Sequence, residues 1–205
     1  MTIRFHKGDL PNLDHYNVEA VAIDTETLGL NLLRDRLCVV QLSPGDGSAD
    51  VVQIAIGQKK APNIQALLKN PKIVKLFHFG RFDIASMYAA FGTLAAPVFC
   101  TKIASRMTRT YTDRHGLKEL CAELLDVNLS KQQQSSDWGA AELTAAQLDY
   151  AASDVLYLHG LRKVLAARLK RENRHNEAEA LFKCLPTRAK LDLMGFEADD
   201  LFAHS

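Results

Sequence analysis

The spacing of hydrophobic residues changes along this sequence of 205 residues. Up to about residue 100, apolar residues come in short runs bounded by turn residues, a pattern typical of strands. These runs are 19–24, 36–43, 50–56, 73–79 and 98–100. Beyond Thr101 the apolar residues recur every three to four positions, which indicates helices.

Helical segments are predicted between and after these strands, at 62–70, 82–91, 102–110, 116–125 and 144–170. Thr144 and Gln147 mark the start of the longest one, because their spacing fits a capping box. A further helix beginning near residue 173 should end near Pro186. Strands followed by interleaved and terminal helices predict one α/β layered domain over 1–170 and a C-terminal helix and tail over 171–205.

The tail is unusually apolar for a chain terminus. Its apolar side chains are Leu191, Leu193, Met194, Phe196, Leu201 and Phe202. Because large contiguous apolar patches rarely stay exposed, we expect the tail to pack on its own domain or on another copy of the chain.

Net charge narrows the classes of partner. Twenty-five Lys and Arg residues stand against 24 Asp and Glu residues, so the formal net charge is +1. Proteins that hold long duplexes usually carry a strongly basic surface, since much of their affinity comes from neutralised phosphates. Near-neutrality therefore argues against a large phosphate footprint and leaves room for a short nucleic acid held locally.

The sequence also predicts a cytoplasmic protein with no membrane partner. No run approaches the about 18 apolar residues of a transmembrane helix, and the charged residues within 1–11 leave no signal-peptide core. Cys38, Cys100, Cys121 and Cys184 lack any C-x-x-C spacing, which disfavours a zinc site or a disulfide framework.

Three acidic features are candidates for chemistry. Asp24 and Glu26 end the first predicted strand, where residues two apart share a face. Tyr150 and Asp154 are one helical turn apart, and Asp83 follows the fourth predicted strand. Each feature alone also fits a structural role: solvated acids at a strand end, a core tyrosine beside a surface acid, or a helix N-terminal acid favoured by the dipole.

Taken together, the acids and the tyrosine resemble the DEDDy 3′–5′ exonucleases. Further stretches are similar to ribonuclease D: Ile-Asp-Thr-Glu-Thr at 23–27, Arg-Leu-Cys-Val-Val-Gln-Leu at 36–42, Leu-Lys-Glu-Leu at 117–120, Ser-Asp-Trp at 136–138 and Leu-Asp-Tyr-Ala-Ala-Ser-Asp-Val at 148–155. The similarity covers roughly residues 18 to 170 in order and spacing. It implies the DEDD exonuclease fold, a ribonuclease H-like mixed sheet flanked by helices, with the exonuclease domain over 1–170.

The resemblance also implies a two-metal-ion mechanism with Mg²⁺ or Mn²⁺. It places Asp24, Glu26 and Asp154 around the ion that activates water. Asp24 would bridge to the second ion, and Asp83 would act mostly through that ion's water shell. Tyr150 would orient the attacking water through its phenol oxygen, or act as a base if its pKa were lowered.

The sequence departs from ribonuclease D in two places. Ribonuclease D continues into helical nucleic-acid-binding domains, whereas this sequence has one further predicted helix and a tail. Ribonuclease D also commonly carries Arg-Pro between the residues matching Trp138 and Leu143, where this sequence has Gly-Ala-Ala-Glu. A compact chain of this kind most resembles the bacterial nanoRNase C group. That resemblance implies hydrolysis of RNA dinucleotides to nucleoside 5′-monophosphates by a homo-oligomer such as an octamer. The alternatives are ribonuclease D-like trimming of tRNA, other longer RNA or DNA, and a non-catalytic RNA-binding module.

The residues that would grip a substrate are less sharply defined. Leu28 follows Glu26 and is a candidate wedge against the terminal base, with Thr25 beside it. Phe79 offers an aromatic stack, and His78 is either a phosphate donor or a strand-end core histidine.

A basic segment between residues 101 and 118 is a second candidate contact surface. It contains Lys102, Arg106, Arg109, Arg114 and Lys118. These side chains form either a phosphate-facing stripe, with Lys102 and Arg106 foremost, or the solvated face of an amphipathic helix. The polar loop 131–136 is a candidate contact for the 5′ side of the substrate.

Overall fold

The computed structural model describes residues 2–129, 136–198 and 201–204. Its centre is a six-stranded sheet, ordered β1-β4-β3-β2-β5-β6. The strands are β1 (Thr2–Lys7), β2 (Ala20–Thr27), β3 (Leu37–Ser43), β4 (Ser48–Gln53), β5 (Val74–Phe77) and β6 (Val98–Cys100). β3 runs antiparallel to β2 and β4, while the other neighbouring pairs are parallel. The mixed sheet expected from the sequence is confirmed.

Seven α-helices surround the sheet in the described part of the chain. They are α1 (Pro62–Lys69), α2 (Gly80–Phe91), α3 (Thr101–Thr108), α4 (Leu117–Leu125), α5 (Ala145–Leu156), α6 (Leu158–Arg171) and α7 (His175–Leu191). The predicted capping box of Thr144 and Gln147 is present at the start of α5. The single helix predicted over 144–170 is wrong, because α5 ends at Leu156 and α6 begins at Leu158.

The prediction that the last helix ends near Pro186 is also wrong. Pro186 lies inside α7, which continues to Leu191. Proline removes one backbone hydrogen bond of a helix. Here Phe182 and Leu185 before the proline, and Ala189 after it, are all buried, and this packing holds the two halves of the helix in line.

β1 is a strand that the sequence pattern does not predict. Its side chains are a mixture of exposed and half-buried ones, most of them polar, so it has no continuous apolar run. Polar contacts hold β1 in the sheet. Arg4 and His6 both form hydrogen bonds with Asp50 on β4, and the Tyr16 hydroxyl donates to the same carboxylate.

The two faces of the sheet are covered by different helices. α5 packs across β1 to β4, and α2 lies on the opposite face, where it packs against α7. A short turn after α7, Asp192–Phe196, is tied to α2 by the ion pair of Arg81 with Asp192. In the described residues, no helix has both the length and the apolar character needed to cross a membrane.

Candidate active site

Three carboxylates meet where β2 leaves the sheet. Asp24 and Glu26 point to the same face of β2, and α5 crosses that face and carries Asp154. One carboxylate oxygen from each lies within 4.8 Å of the others. The carboxylates of Asp24 and Glu26, two residues apart on the strand, and that of Asp154 on the helix therefore meet at a single point.

Asp83 approaches the same strand from the other face. It is buried in the first turn of α2, and its Oδ1 accepts a hydrogen bond of 2.7 Å from the Thr25 hydroxyl. Thr25 itself is buried and faces away from Asp24, since neighbouring strand residues alternate. The hydroxyl of Thr25 thus holds Asp83 at the edge of the three-carboxylate group.

Burial and mutual repulsion raise the pKa values of these acids. The pKa of Asp24 lies well above its ordinary range, first because of burial and then because of the charges of Asp83, Asp154 and Glu26. Burial, followed by the charges of Asp154 and Asp83, raises the pKa of Glu26 to about 9. Both Asp83 and Asp154 are shifted upward as well, chiefly by burial.

No Lys or Arg of the described residues forms an ion pair with these four carboxylates. Close carboxylates without an internal counter-charge disfavour ionisation unless a cation is supplied from outside. Carboxylate oxygen is the donor that hard divalent ions such as Mg²⁺ and Mn²⁺ prefer. The donor set therefore fits a divalent metal site.

Tyr150 lies one helical turn before Asp154 on α5 and is half-buried. Its ring packs at 6.1 Å from that of the buried Trp138, measured between centroids. Burial, followed by the charges of Asp154, Glu26 and Asp24, raises the pKa of Tyr150. In the metal-free protein, burial and these neighbouring charges therefore favour the neutral phenol, which is a hydrogen-bonding group.

Phe79 and Lys102 form a cation–π pair at the start of α2, where Phe79 lies four residues before Asp83 in the sequence. Phe79 adopts a left-handed backbone conformation, φ 66°, at the start of α2, which leaves its ring partly exposed. Lys102 Nζ lies 4.4 Å from the centre of that ring. Arg106 follows one turn later on α3 and is exposed. The cavity next to Phe79, also lined by Phe82 and Leu33, has a volume of about 570 Å³.

Leu28 and His78 occupy contrasting positions. The Leu28 side chain is about half exposed and lies against Gly139, where an added Cβ would come within 2.5 Å of its Cδ2. His78 is half-buried, and its Nδ1 lies 2.9 Å from the Thr101 hydroxyl. Burial, followed by the Lys102 charge, lowers the pKa of His78 to about 3, so its ring is neutral.

Arg109 corrects the interpretation of the basic segment as one stripe. It is fully buried, donates to the Ser105 hydroxyl and to the Arg114 carbonyl, and forms an ion pair with Glu123. An arginine held in this way stabilises the turn after α3 and presents no charge to a phosphate. Loop residues 131–135, the candidate contact for the 5′ side of a substrate, lie outside the described residues.

Gln41 is a polar residue at the site that the motif search does not single out. It lies on β3 directly opposite Asp24 in the register and is completely buried. Its only sign in the sequence is an amide within the otherwise apolar run Leu37–Leu42.

Comparisons with known proteins agree with this geometry. A family model described as 3′–5′ exonuclease matches residues 12–170. A structure of Brucella melitensis NrnC bound to pGG is 70% identical, with both chains covered completely and a TM-score of 0.98. A structure of the same protein with bound Mg²⁺ is 69% identical, again over both whole chains, with a TM-score of 0.97.

Ribonuclease D is a more distant relative. Ribonuclease D of Gluconacetobacter diazotrophicus is 38% identical over 154 residues, which span 75% of this chain and 39% of that protein. The structure of Escherichia coli RNase D is 26% identical, covers 84% of this chain and 45% of its own, and gives a TM-score of 0.75. The chain belongs to the ribonuclease D-like 3′–5′ exonuclease family, in the group that contains NrnC.

Proposed function

We propose that this 3′–5′ exonuclease hydrolyses RNA dinucleotides to nucleoside 5′-monophosphates with the help of two divalent cations, Mg²⁺ or Mn²⁺. The chemistry rests on one observation: three carboxylates within 4.8 Å of one another, beside Tyr150, with no counter-charge from the described residues. The substrate length is supported by the likeness over the whole chain to a protein whose structure holds pGG.

The acids divide the work of holding the cations. Asp24, Glu26 and Asp154 would hold one ion; Asp24 would also contact the second, and Asp83 would act mostly through the water shell of that second ion. When bound, such ions activate a water molecule and stabilise charge on the leaving 3′ oxygen. The Thr25 hydroxyl keeps Asp83 in place by the hydrogen bond across the strand.

Tyr150 orients the attacking water through its neutral hydroxyl, from a position one turn before Asp154. The water oxygen forms a new bond to phosphorus, and the bond from phosphorus to the 3′ oxygen breaks. The proton lost by water passes to solvent, and the released upstream nucleotide gains one at its 3′ oxygen.

Tyr150→Phe tests this role. Removing a group that positions or transfers a proton commonly costs about 100-fold or more in rate, so kcat should fall by that order while dinucleotide binding stays unchanged. Tyr157→Phe, at the break between α5 and α6, is the matched control. Unchanged turnover in Tyr150→Phe, measured by chromatography of released monophosphate, would remove the tyrosine from the mechanism.

The grip on the substrate comes from a few local contacts. We assign base contacts to Leu28 and Phe79, and phosphate contacts to Lys102 and Arg106. The cavity beside Phe79, at about 570 Å³, has room for a nucleobase.

Thr25 and His78 support the site from within, as their hydrogen bonds to Asp83 and Thr101 indicate. With a net charge of +1, the chain suits a ligand with few phosphates.

A comparison of substrate lengths tests the proposal. The protein is incubated with Mg²⁺ or Mn²⁺ and either a 5′-labelled dinucleotide or a labelled 20-mer. We expect rapid conversion of the dinucleotide and slow shortening of the 20-mer. Equal or faster stepwise shortening of the 20-mer would favour ribonuclease D-like trimming of longer RNA, and a DNA 20-mer run in parallel reports the sugar preference.

We also propose that the protein acts as a homo-oligomer, such as an octamer, in the cytoplasm. Large apolar side chains stay exposed on the single chain, among them Leu30 at 81% and Met194 at 69%. Such exposure is typical of contact surfaces. Analytical ultracentrifugation should show an assembly that Met194→Glu weakens and Lys59→Glu, on another exposed loop, does not. A monomer at micromolar concentration would exclude the oligomer.

A further inference from the structure

Gln41 is a buried amide without a hydrogen-bond partner. The side chain has no exposed surface, and neither its Oε1 nor its Nε2 contacts a partner within the described part of the chain. Buried polar groups are nearly always hydrogen-bonded, because an unpartnered one forfeits its bonds to water. A glutamine kept in this state at the centre of a sheet calls for a role that the fold alone does not supply.

The register of the sheet sets what Gln41 can reach. Gln41 pairs with Asp24 on one side and with Val51 on the other. Side chains of directly opposed residues lie on the same face, with Cβ atoms about 4.5–5.5 Å apart. The polar neighbour across the strand is therefore the Asp24 carboxylate, while Val51 offers only apolar contact.

The helix above closes this layer from solvent. α5 packs on the same face, and Ala151 of α5 shares an apolar cluster with Val39 and Val51. Gln41 lies beneath the helix that carries Tyr150 and Asp154, so it cannot touch a substrate. Any effect of Gln41 on the reaction must act through a residue that does, and Asp24 is the acid directly opposite Gln41 in the register.

We propose that Gln41 is a positioning residue for Asp24: its Nε2 donates a hydrogen bond to the Asp24 carboxylate when that carboxylate holds a divalent cation. This inference rests on the proposed function of the cluster as a metal site. A neutral amide suits the task because it fixes a carboxylate oxygen without bringing a positive charge that would compete with the metal. Residues that orient metal ligands in this way commonly change metal affinity by about 10- to 100-fold when removed.

The test is Mn²⁺ titration calorimetry on the full-length protein and on Gln41→Met, together with thermal unfolding of both without metal. Met fills a similar volume and lacks the amide. We expect Mn²⁺ affinity to fall about 10- to 100-fold, while the unfolding temperature of the metal-free protein stays the same or rises, because an unpartnered buried amide is removed. Gln41→Leu repeats the test should Gln41→Met fail to fold.

Ser86→Ala is the matched control. The Ser86 hydroxyl is also buried and unpartnered within the described residues, but it lies on α2, across the sheet from Gln41. It should leave Mn²⁺ affinity unchanged.

The outcomes separate this inference from the proposed function. Unchanged Mn²⁺ affinity in Gln41→Met would overturn the positioning role. A loss of affinity accompanied by a large fall in the metal-free unfolding temperature would assign Gln41 to the sheet core instead, and would also overturn it. A wild-type protein that binds no Mn²⁺ would instead refute the metal site.

Discussion

Two regions of one sheet bury carboxylates and treat them in opposite ways. At the β1 edge, Asp50 is 2% exposed and accepts hydrogen bonds from Arg4 Nε at 2.8 Å, the Tyr16 hydroxyl at 2.6 Å and His6 Nε2 at 2.7 Å. Burial opposes ionisation, but the bonds from Arg4, Tyr16 and His6 hold the pKa of Asp50 below its ordinary range.

In the described residues the acidic cluster has no charged donor of this kind, and the Thr25 hydroxyl that donates to Asp83 is neutral. Asp24 is surrounded by Asp83, Asp154 and Glu26, and its pKa is raised by burial and by those charges. Asp50, a structural carboxylate, receives its hydrogen-bond donors from other side chains of the same protein. The four acids of the cluster have no cationic partner like Arg4 among the described residues, and this difference supports the proposal that they belong to a metal site while Asp50 is a structural acid.

Asp24→Asn should have the largest effect on activity. It removes a charge from the proposed metal site, and loss of one preorganised electrostatic group costs about 100- to 1,000-fold in kcat. Because it also relieves repulsion, the metal-free protein should unfold at a higher temperature than wild type. Asp149→Asn, an exposed acid on the same helix as Asp154, is the control for both readouts.

The same chemical change at the other carboxylate should do the reverse. Asp50→Asn weakens charge-assisted hydrogen bonds worth about 2 kcal/mol together, which corresponds to a fall of about 5 °C in Tm for a domain of this size. Dinucleotide hydrolysis per folded molecule should stay at the wild-type level. Asp14→Asn, at an exposed position, provides the baseline; a Tm equal to that baseline would mean that Asp50 does not hold β1.

The pH dependence of stability should differ between the two regions by a smaller amount. For a raised pKa, the unfolded chain ionises first, near pH 4 to 4.5, so metal-free stability falls as pH rises from there towards about 9, where Glu26 ionises in the folded protein. Asp50 has the opposite sign: its contribution is present above about pH 4 and is lost as pH falls through its lowered pKa.

Denaturant unfolding at several pH values, with and without Mn²⁺, separates the two contributions. Saturating Mn²⁺ should flatten the decline in the free energy of unfolding between about pH 4.5 and 9, the interval between the unfolded and folded pKa values of the cluster. The loss of stability at lower pH, where Asp50 is protonated, should stay unchanged. A decline that Mn²⁺ does not alter would assign it to groups outside the cluster.

Local rules predict the acids well. A spacing of two along a strand aligns Asp24 with Glu26, and a spacing of four along a helix aligns Tyr150 with Asp154. The capping box of Thr144 is equally local. Each of these alignments depends on few residues and is local, whereas the expectation that the acids belong to one site comes from the resemblance to the exonuclease family.

Features that depend on distant partners escape the same rules. β1 is not recognised as a strand from its own polar sequence, because the residue that holds it, Asp50, lies 46 residues after Arg4. Arg109 reads as a surface cation because its partner Glu123 follows 14 residues later. Pro186 reads as a helix end, since only the tertiary packing of α7 compensates for the missing hydrogen bond. Each error arises where a contact across the fold outweighs local preference.

Mn²⁺ calorimetry on the metal-free protein at pH 7, in two buffers of different ionisation enthalpy, tests the central claim most directly. If the cluster is a metal site whose carboxyl groups have raised pKa values, Mn²⁺ should bind and release protons, and Asp24→Asn should lose most of that binding. Asp50→Asn should keep it. The absence of Mn²⁺ binding to the wild-type protein, or equal binding by Asp24→Asn, would contradict the account.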